Sequence, residues 1–103
     1  MTKNFFARVY DVVQRIPPGN VATYKLIADI LGTRDTRRIG HALHANPDGS
    51  KTPCHRVVFV DGRLAPGYAF GGPNEQHRKL ELEGINFLPD DKVNLSVHLW
   101  RPA

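Results

Sequence analysis

A single, mainly helical domain with a small β-hairpin is the fold class this sequence predicts, in a helix-turn-helix, winged-helix-like arrangement. Three observations predict it. The chain has 103 residues, room for one core and not two. Apolar residues recur at helical spacing in three consecutive stretches of the N-terminal half. A single short β-branched run, closed by an Asp-Gly turn, supplies the strand pattern.

Each element follows in order. Phe5, Val9, Val12, Val13 and Ile16 place a helix over about residues 5–16, capped by Thr2 or Asn4 and ended by Pro17-Pro18-Gly19. Thr23 is the expected N-cap of a second helix that buries Leu26, Ile27, Ile30 and Leu31, and Gly32 stops it. A third helix starts near Thr33 or Asp35, buries Ile39, Ala42 and Leu43, and ends at Asn46-Pro47-Asp48-Gly49. The second and third helices form a helix-turn-helix pair. Its exposed face carries Arg34, Arg37 and Arg38, which reads equally as a solvated helix face.

Val57–Val60 reads as a buried strand, Asp61-Gly62 as a turn and Arg63-Leu64 as the return strand. Residues 65–73 are a glycine-rich loop. A last helix over about 74–83 buries Leu80 and Leu82 and ends at Gly84. From Ile85 onward the chain is expected to be irregular, docking Val93, Leu95, Val97, Leu99 and Trp100 on the core. The core thus spans about residues 5–85, with a tail over 86–103.

Composition narrows the class of function. Hydrophobic residues make up 41% and charged residues 23%, values that exclude disordered and fibrous chains. No apolar run approaches the roughly 18–20 residues needed to span a bilayer. The start, Met1 to Arg8, is charged too soon for a secretory signal. One cysteine excludes an internal disulfide and the multi-cysteine metal and redox motifs, so a reducing cytoplasm is expected. The net charge of +4 is uneven. Residues 1–60 hold nine Lys/Arg against four Asp/Glu, and residues 61–103 hold five against six. A basic N-terminal half suits a polyanion, because phosphate contacts release counterions.

Cys54 is the first candidate for chemistry. Lone cysteines in such chains are commonly small buried apolar residues, but Pro53, His55 and Arg56 flank this one. A thiol of ordinary pKa near 8.5 is mostly protonated at neutral pH. A histidine oriented by a carboxylate can take that proton. Neighbours in an extended segment point to opposite sides, so Cys54 and His55 need a bridging water or a bend. Glu83 is the carboxylate within the pattern, or else a solvated helix-terminal charge. Asn46 either organises the backbone near Cys54 or belongs to a simple turn. His41 and His44, three apart on a basic helix, read as surface residues. With one cysteine they make no metal-ligand pattern, and neither metal nor cofactor is expected.

Thr52-Pro53-Cys54-His55-Arg56-Val57-Val58 resembles the active-site motif of the O6-alkylguanine-DNA alkyltransferases. Four further stretches resemble the family in the same order: Ile16 to Tyr24, Arg37-Arg38-Ile39-Gly40, Ala42 to Pro47, and Glu81-Leu82-Glu83-Gly84. The resemblance implies the alkyltransferase C-terminal-domain fold and a protein acting once on O6-alkylguanine in double-stranded DNA. The recognition helix would lie in the minor groove. Arg37 would replace the extruded base, with Arg38 the alternative finger. Tyr24 would press on the 3′ phosphate and assist the guanine ring. Cys54 would accept the alkyl group, His55 would be its base through water, Glu83 would orient His55, and Asn46 would brace the segment. Gly67, Tyr68 and Ala69 would line the alkyl pocket. Arg34, Lys25, Lys51 and Arg56 would join the DNA contacts.

The departures from the pattern are specific. Tyr24 and Arg37 stand one residue closer than is usual, and the loop 65–72 lacks the Asn-Tyr-Ser/Ala-Gly-Gly pattern and is one residue longer. The short chain and the tail Leu99-Trp100-Arg101-Pro102 are similar to the alkyltransferase-like proteins, which generally lack the cysteine and hand the lesion to excision-repair proteins. This chain keeps it. Three readings therefore stand open: a monomeric suicide transferase, a non-enzymatic lesion sensor, and a helix-turn-helix regulator with a structural cysteine.

Overall fold

Capping side chains start the first three helices in the computed structural model, which describes residues 4–102. Helix α1 spans Phe5–Val13. Asn4 accepts from the Ala7 N–H at 2.8 Å, pairing a donor that a helix start leaves free. Thr2, the other expected cap, lies outside the described residues. The helix stops short of Ile16. A tight turn carries the chain on, and Ile16 is still buried.

Helix α2 (Tyr24–Leu31) begins at Thr23, whose hydroxyl accepts from Leu26 N–H at 3.0 Å. It ends at Gly32, whose φ of 73° is left-handed and suits glycine. Helix α3 (Thr36–His44) begins at Asp35, which accepts from Arg38 N–H at 3.0 Å. Buried faces of the three helices meet in one cluster with Ala22, Cys54, Val57 and Tyr68. The Tyr10 hydroxyl donates to the Ala42 carbonyl at 2.7 Å and ties α1 to α3.

The fold class stands, mainly helical with one small sheet, but the hairpin needs correcting. Strand β1 (Ala22–Thr23) pairs in parallel with β2 (Val57–Val58), Ala22 opposite Val57 and Thr23 opposite Val58. Arg63-Leu64 forms no return strand. The turn is held by Phe59 N–H to Arg63 O at 2.9 Å and Gly62 N–H to Phe59 O at 2.8 Å. Gly62 has φ of 91°, and a Cβ there would lie 2.6 Å from the Val93 carbonyl. The backbone after β2 thus meets the tail instead, with Val93 N–H donating to Gly62 O at 2.9 Å.

Helix α4 (Gly72–Leu82) starts two residues early and buries Leu80 fully. Leu82 is 75% exposed, contrary to expectation, because two residues on a helix stand roughly 200° apart. The face of Leu80 continues one turn back to Gln76, also fully buried. The tail is less irregular than expected. It contains α5 (Leu95–His98) and bridges back at Leu99 to Val21. Val93 is buried, Leu95, Leu99 and Trp100 are half-buried, and Val97 faces solvent. The His98 ring accepts from Asn86 N–H at 2.9 Å and donates to the Gly19 carbonyl at 3.1 Å. A second cluster, of Val21, Val58, Leu80, Ile85 and Val93, lies beneath this strap. No helix among the described residues is long and apolar enough to cross a membrane.

Candidate active site

Pro53 and the loop before it deliver Cys54 to a 3₁₀ turn, Cys54–Arg56, immediately ahead of β2. The local backbone is therefore bent at the place where an extended segment would have sent Cys54 and His55 to opposite sides. Both side chains are buried. The turn is held from α4. Gln76 Nε2 donates to the carbonyls of His55 and Val57, each at 3.0 Å, and its Oε1 accepts from Ala65 N–H at 2.9 Å. One side chain thus joins the cysteine turn, β2 and the glycine-rich loop. The sequence reading missed it, although its spacing of four from Leu80 marks the same helix face.

His55 Nε2 donates to Glu83 Oε2 at 2.8 Å. That bond leaves Nδ1 as the ring's acceptor nitrogen. Burial holds the His55 imidazole below its ordinary range, against the pull of Glu83, with the charges of Arg56 and Lys79 adding to the depression. At neutral pH the ring is a neutral base. Burial works to raise the Glu83 carboxyl, but hydrogen bonds from Arg56 and His55 outweigh it and the carboxyl is lowered.

Arg56, grouped by sequence with the DNA contacts, is committed inside the protein. Its Nε and Nη2 donate to the two Glu83 oxygens at 2.9 and 2.8 Å, and Nη1 donates to the Ile16 carbonyl at 2.7 Å. This forked pairing suits a guanidinium and a carboxylate, and it holds the side chain 14% exposed.

Asn46 closes the turn from the other side, its Nδ2 donating to Thr52 O at 2.8 Å and its Oδ1 accepting from Asp48 N–H at 3.1 Å. Burial pushes the Cys54 thiol up. A hydrogen bond to Asn46, one to its own backbone and the charge of Lys79 work in the opposite direction. In the free protein Cys54 is a thiol.

Cys54 forms part of a cavity of about 20 Å³ with Tyr24, Gly40, His44, Gly67, Tyr68 and Ala69 among its walls. All three expected pocket residues are present. The volume suits one water or one methyl group. This cavity adjoins a larger cleft of about 680 Å³, with which it shares Tyr24, Gly40, His44, Ala65 and Gly67. One wall of the cleft is α3, through Thr36, Arg37, Gly40, His41 and His44; the other is the Phe59–Arg63 turn and the loop after it.

Tyr24 stands at the junction. Its ring packs on Phe59 with centroids 5.4 Å apart, and the Arg63 guanidinium lies 5.1 Å above the far ring. Burial and the nearby Cys54 push the Tyr24 phenol up to about 12, so it stays a neutral donor. His44 Nδ1 donates to the Gly67 carbonyl at 3.1 Å and fastens the loop to α3. Phe59 and Arg63 were not among the site residues expected from sequence, and His44 was read there as a surface residue.

The structure separates the two arginines. Arg37 lines the cleft, whereas the Arg38 guanidinium sits 4.2 Å over the Phe5 ring. Arg34 is exposed beside α3 and Lys51 is exposed beside the cysteine loop. Lys25 lines the cleft and pairs with Asp29 at 3.0 Å. His41 and His44 face the cleft, and the described residues hold no group of three or more His, Cys, Asp or Glu placed to share a metal ion.

Comparison with known proteins identifies the family. Residues 4–85 match the model of the 6-O-methylguanine DNA methyltransferase DNA-binding domain. The chain is 35% identical to alkyltransferase-like protein 1 of Schizosaccharomyces pombe over 95% of both chains. It is 34% identical to a DNA base-flipping protein of Vibrio parahaemolyticus, over 95% of this chain and 97% of that one. A methylated-DNA–protein-cysteine methyltransferase of Saccharolobus islandicus is 45% identical over 82% of this chain, which spans 53% of that relative. The crystal structure of S. pombe Atl1 with damaged DNA containing O6-carboxymethylguanine superposes with a TM-score of 0.82, at 30% identity, covering 99% of this chain and all of that one. Mycobacterium tuberculosis OGT in complex with DNA gives 0.74 at 36% identity, covering 82% of this chain and 51% of that one. A family match across four-fifths of the chain, with relatives alike over nearly its whole length, places this protein in the 6-O-methylguanine DNA methyltransferase family through its DNA-binding domain.

Proposed function

We propose that this protein binds O6-alkylguanine in duplex DNA as a monomer, turns the damaged base into the cleft and transfers its alkyl group to Cys54. The observation that carries the reading is the path from cleft to cavity. Tyr24 and Arg37 line the larger cleft, Cys54 lines the small cavity that adjoins it, and His55, paired with Glu83, follows Cys54 on the same turn. A base within the stack cannot present its O6 substituent to a thiolate, so it must be extruded at a cost of a few kcal/mol. Arg37 is the finger that fills the vacancy, since Arg38 is engaged on Phe5.

The chemical step is a displacement at carbon. The Cys54 proton passes to His55 Nδ1 through water, the sulfur bonds to the alkyl carbon, and the carbon–O6 bond breaks. Its electron pair goes to the guanine, which takes a proton from the Tyr24 hydroxyl or from water. The thioether remains, so each molecule acts once. Placement supplies most of the rate.

A second reading is favoured by a different observation. Two relatives alike over 95% of the chain are an alkyltransferase-like protein and a base-flipping protein, and Cys54 is 5% exposed with its thiol pushed up by burial. Under that reading the protein holds the flipped base and flags it for excision-repair proteins. Intact mass after incubation with an O6-methylguanine duplex separates the two. A gain of one methylene mapped to Cys54 is expected. An unchanged mass with tight, lesion-selective binding would establish the sensor, and equal binding of plain DNA would overturn both.

A further inference from the structure

Lys79 on α4 is a charged group that the proposed reaction does not use. Its Nζ donates to the Tyr68 hydroxyl at 2.7 Å. It also lies 5.3 Å from the centroid of that ring and 5.6 Å from that of Phe70. Tyr68 lines the Cys54 cavity. Lys79 itself opens on a second cleft, of about 520 Å³, with Lys51, His55, Arg56 and Glu83 among its walls. That cleft shares no lining residue with the one that holds Arg37 and Tyr24. Lys79 thus reaches Tyr68, and through it the cavity, from the side of the second cleft.

We propose that Lys79 is a positioning residue for Cys54, pinning the Tyr68 ring over the cavity and laying a positive charge toward the sulfur. The proposal rests on Cys54 being the alkyl acceptor. The other titratable groups around the sulfur bring no charge of that sign: the Tyr10, Tyr24 and Tyr68 phenols and the neutral His55 ring. His44 lines the cavity but spends its Nδ1–H on the Gly67 carbonyl. The Arg56 guanidinium is matched by Glu83. Lys79 is the cation whose charge favours the Cys54 thiolate. The energetic logic is plain: a thiolate formed in a buried site needs a cation or hydrogen-bond donors to replace lost water.

The test follows the ¹³Cβ shift of Cys54, the chain's one cysteine, through a pH titration of the free protein. Lys79→Met should raise the midpoint by roughly half to one pH unit, and Lys79→Arg should restore it. Methyl transfer, read by intact mass, should slow about tenfold in Lys79→Met, the equivalent of one such unit, and recover in Lys79→Arg. A midpoint that stays put in folded Lys79→Met overturns the proposal. Should that variant not fold, Lys79→Gln decides in the same titration. A midpoint that shifts in Lys79→Met while the wild type shows no methyl transfer supports the placement of the charge and overturns the transfer reading instead.

Discussion

Gln76 shows how much one buried amide can organise. It has no exposed surface and makes three hydrogen bonds to backbone groups of the cysteine turn, β2 and the loop. Replacing it with leucine would strand two carbonyls and an amide N–H away from water. We expect Gln76→Leu to cost about 2–4 kcal/mol in urea unfolding, from the desolvation of unpaired groups. The His55–Glu83–Arg56 set predicts a pH dependence of the same stability. His55 is lowered by burial, so the unfolded chain binds its proton more readily than the native one. Stability from this residue is complete above about pH 6.5, the unfolded value, and falls as pH drops toward the lowered native one. Glu83, also lowered, adds a second loss below about pH 4.3, the ordinary value for a free glutamate. Unfolding free energies measured from pH 8 to 3 should decline in that order, and Glu83→Gln should remove the lower step. These residues divide what sequence could show. The spacing of Cys54, His55 and Glu83 was legible as a motif, whereas the tie of Arg56 to Glu83 depends on a contact 27 residues distant that no local pattern encodes.

At the scale of elements, the N-terminal caps of the first three helices were legible and strand pairings were not. Asn4, Thr23 and Asp35 cap their helices through their own side chains within three residues, so the information is local and survives in the sequence. The parallel pairing of β1 with β2 joins residues 35 apart along the chain. Val57 and Val58 look alike whether they pair with a following strand or with one before α2. Helix α5 is four residues long, too short for propensity to announce. The same distinction explains α4, where Leu80 and Leu82 are alike in type but opposite in facing. We expect Leu80→Ala to destabilise by about 2–5 kcal/mol through an unfilled cavity. Leu82→Ala should stay within about 0.5 kcal/mol of the wild type. Thermal or urea unfolding of the pair would check the helix register directly.

Across the whole molecule, basic side chains gather at the cleft beside the Cys54 cavity. The cleft gathers Lys25, Arg37 and Arg63 with His41 and His44, while Arg56, equally basic, is turned inward. The sequence count of positive charge in residues 1–60 foresaw the basic half but could not say which cations face outward. Salt titration of duplex binding distinguishes them. Removing one cation that neutralises a phosphate should flatten the slope of log affinity against log salt by about 0.9. Arg34→Ala, Lys25→Ala and Lys51→Ala each remove an exposed cation and should flatten it by up to that amount, with little change in folding. Arg56→Gln should leave the slope of the folded fraction unchanged and instead lower stability, because it uncouples Glu83 and the Ile16 carbonyl. Arg37→Ala belongs to a third class. An arginine that occupies the vacated base position acts in the stack rather than on a phosphate, so its loss should narrow the preference for alkylated over plain duplex more than it flattens the slope. If Arg56→Gln flattened the slope as Arg34→Ala does, the internal ion pair would have to open on DNA, and the division between structural and DNA-facing arginines would fail.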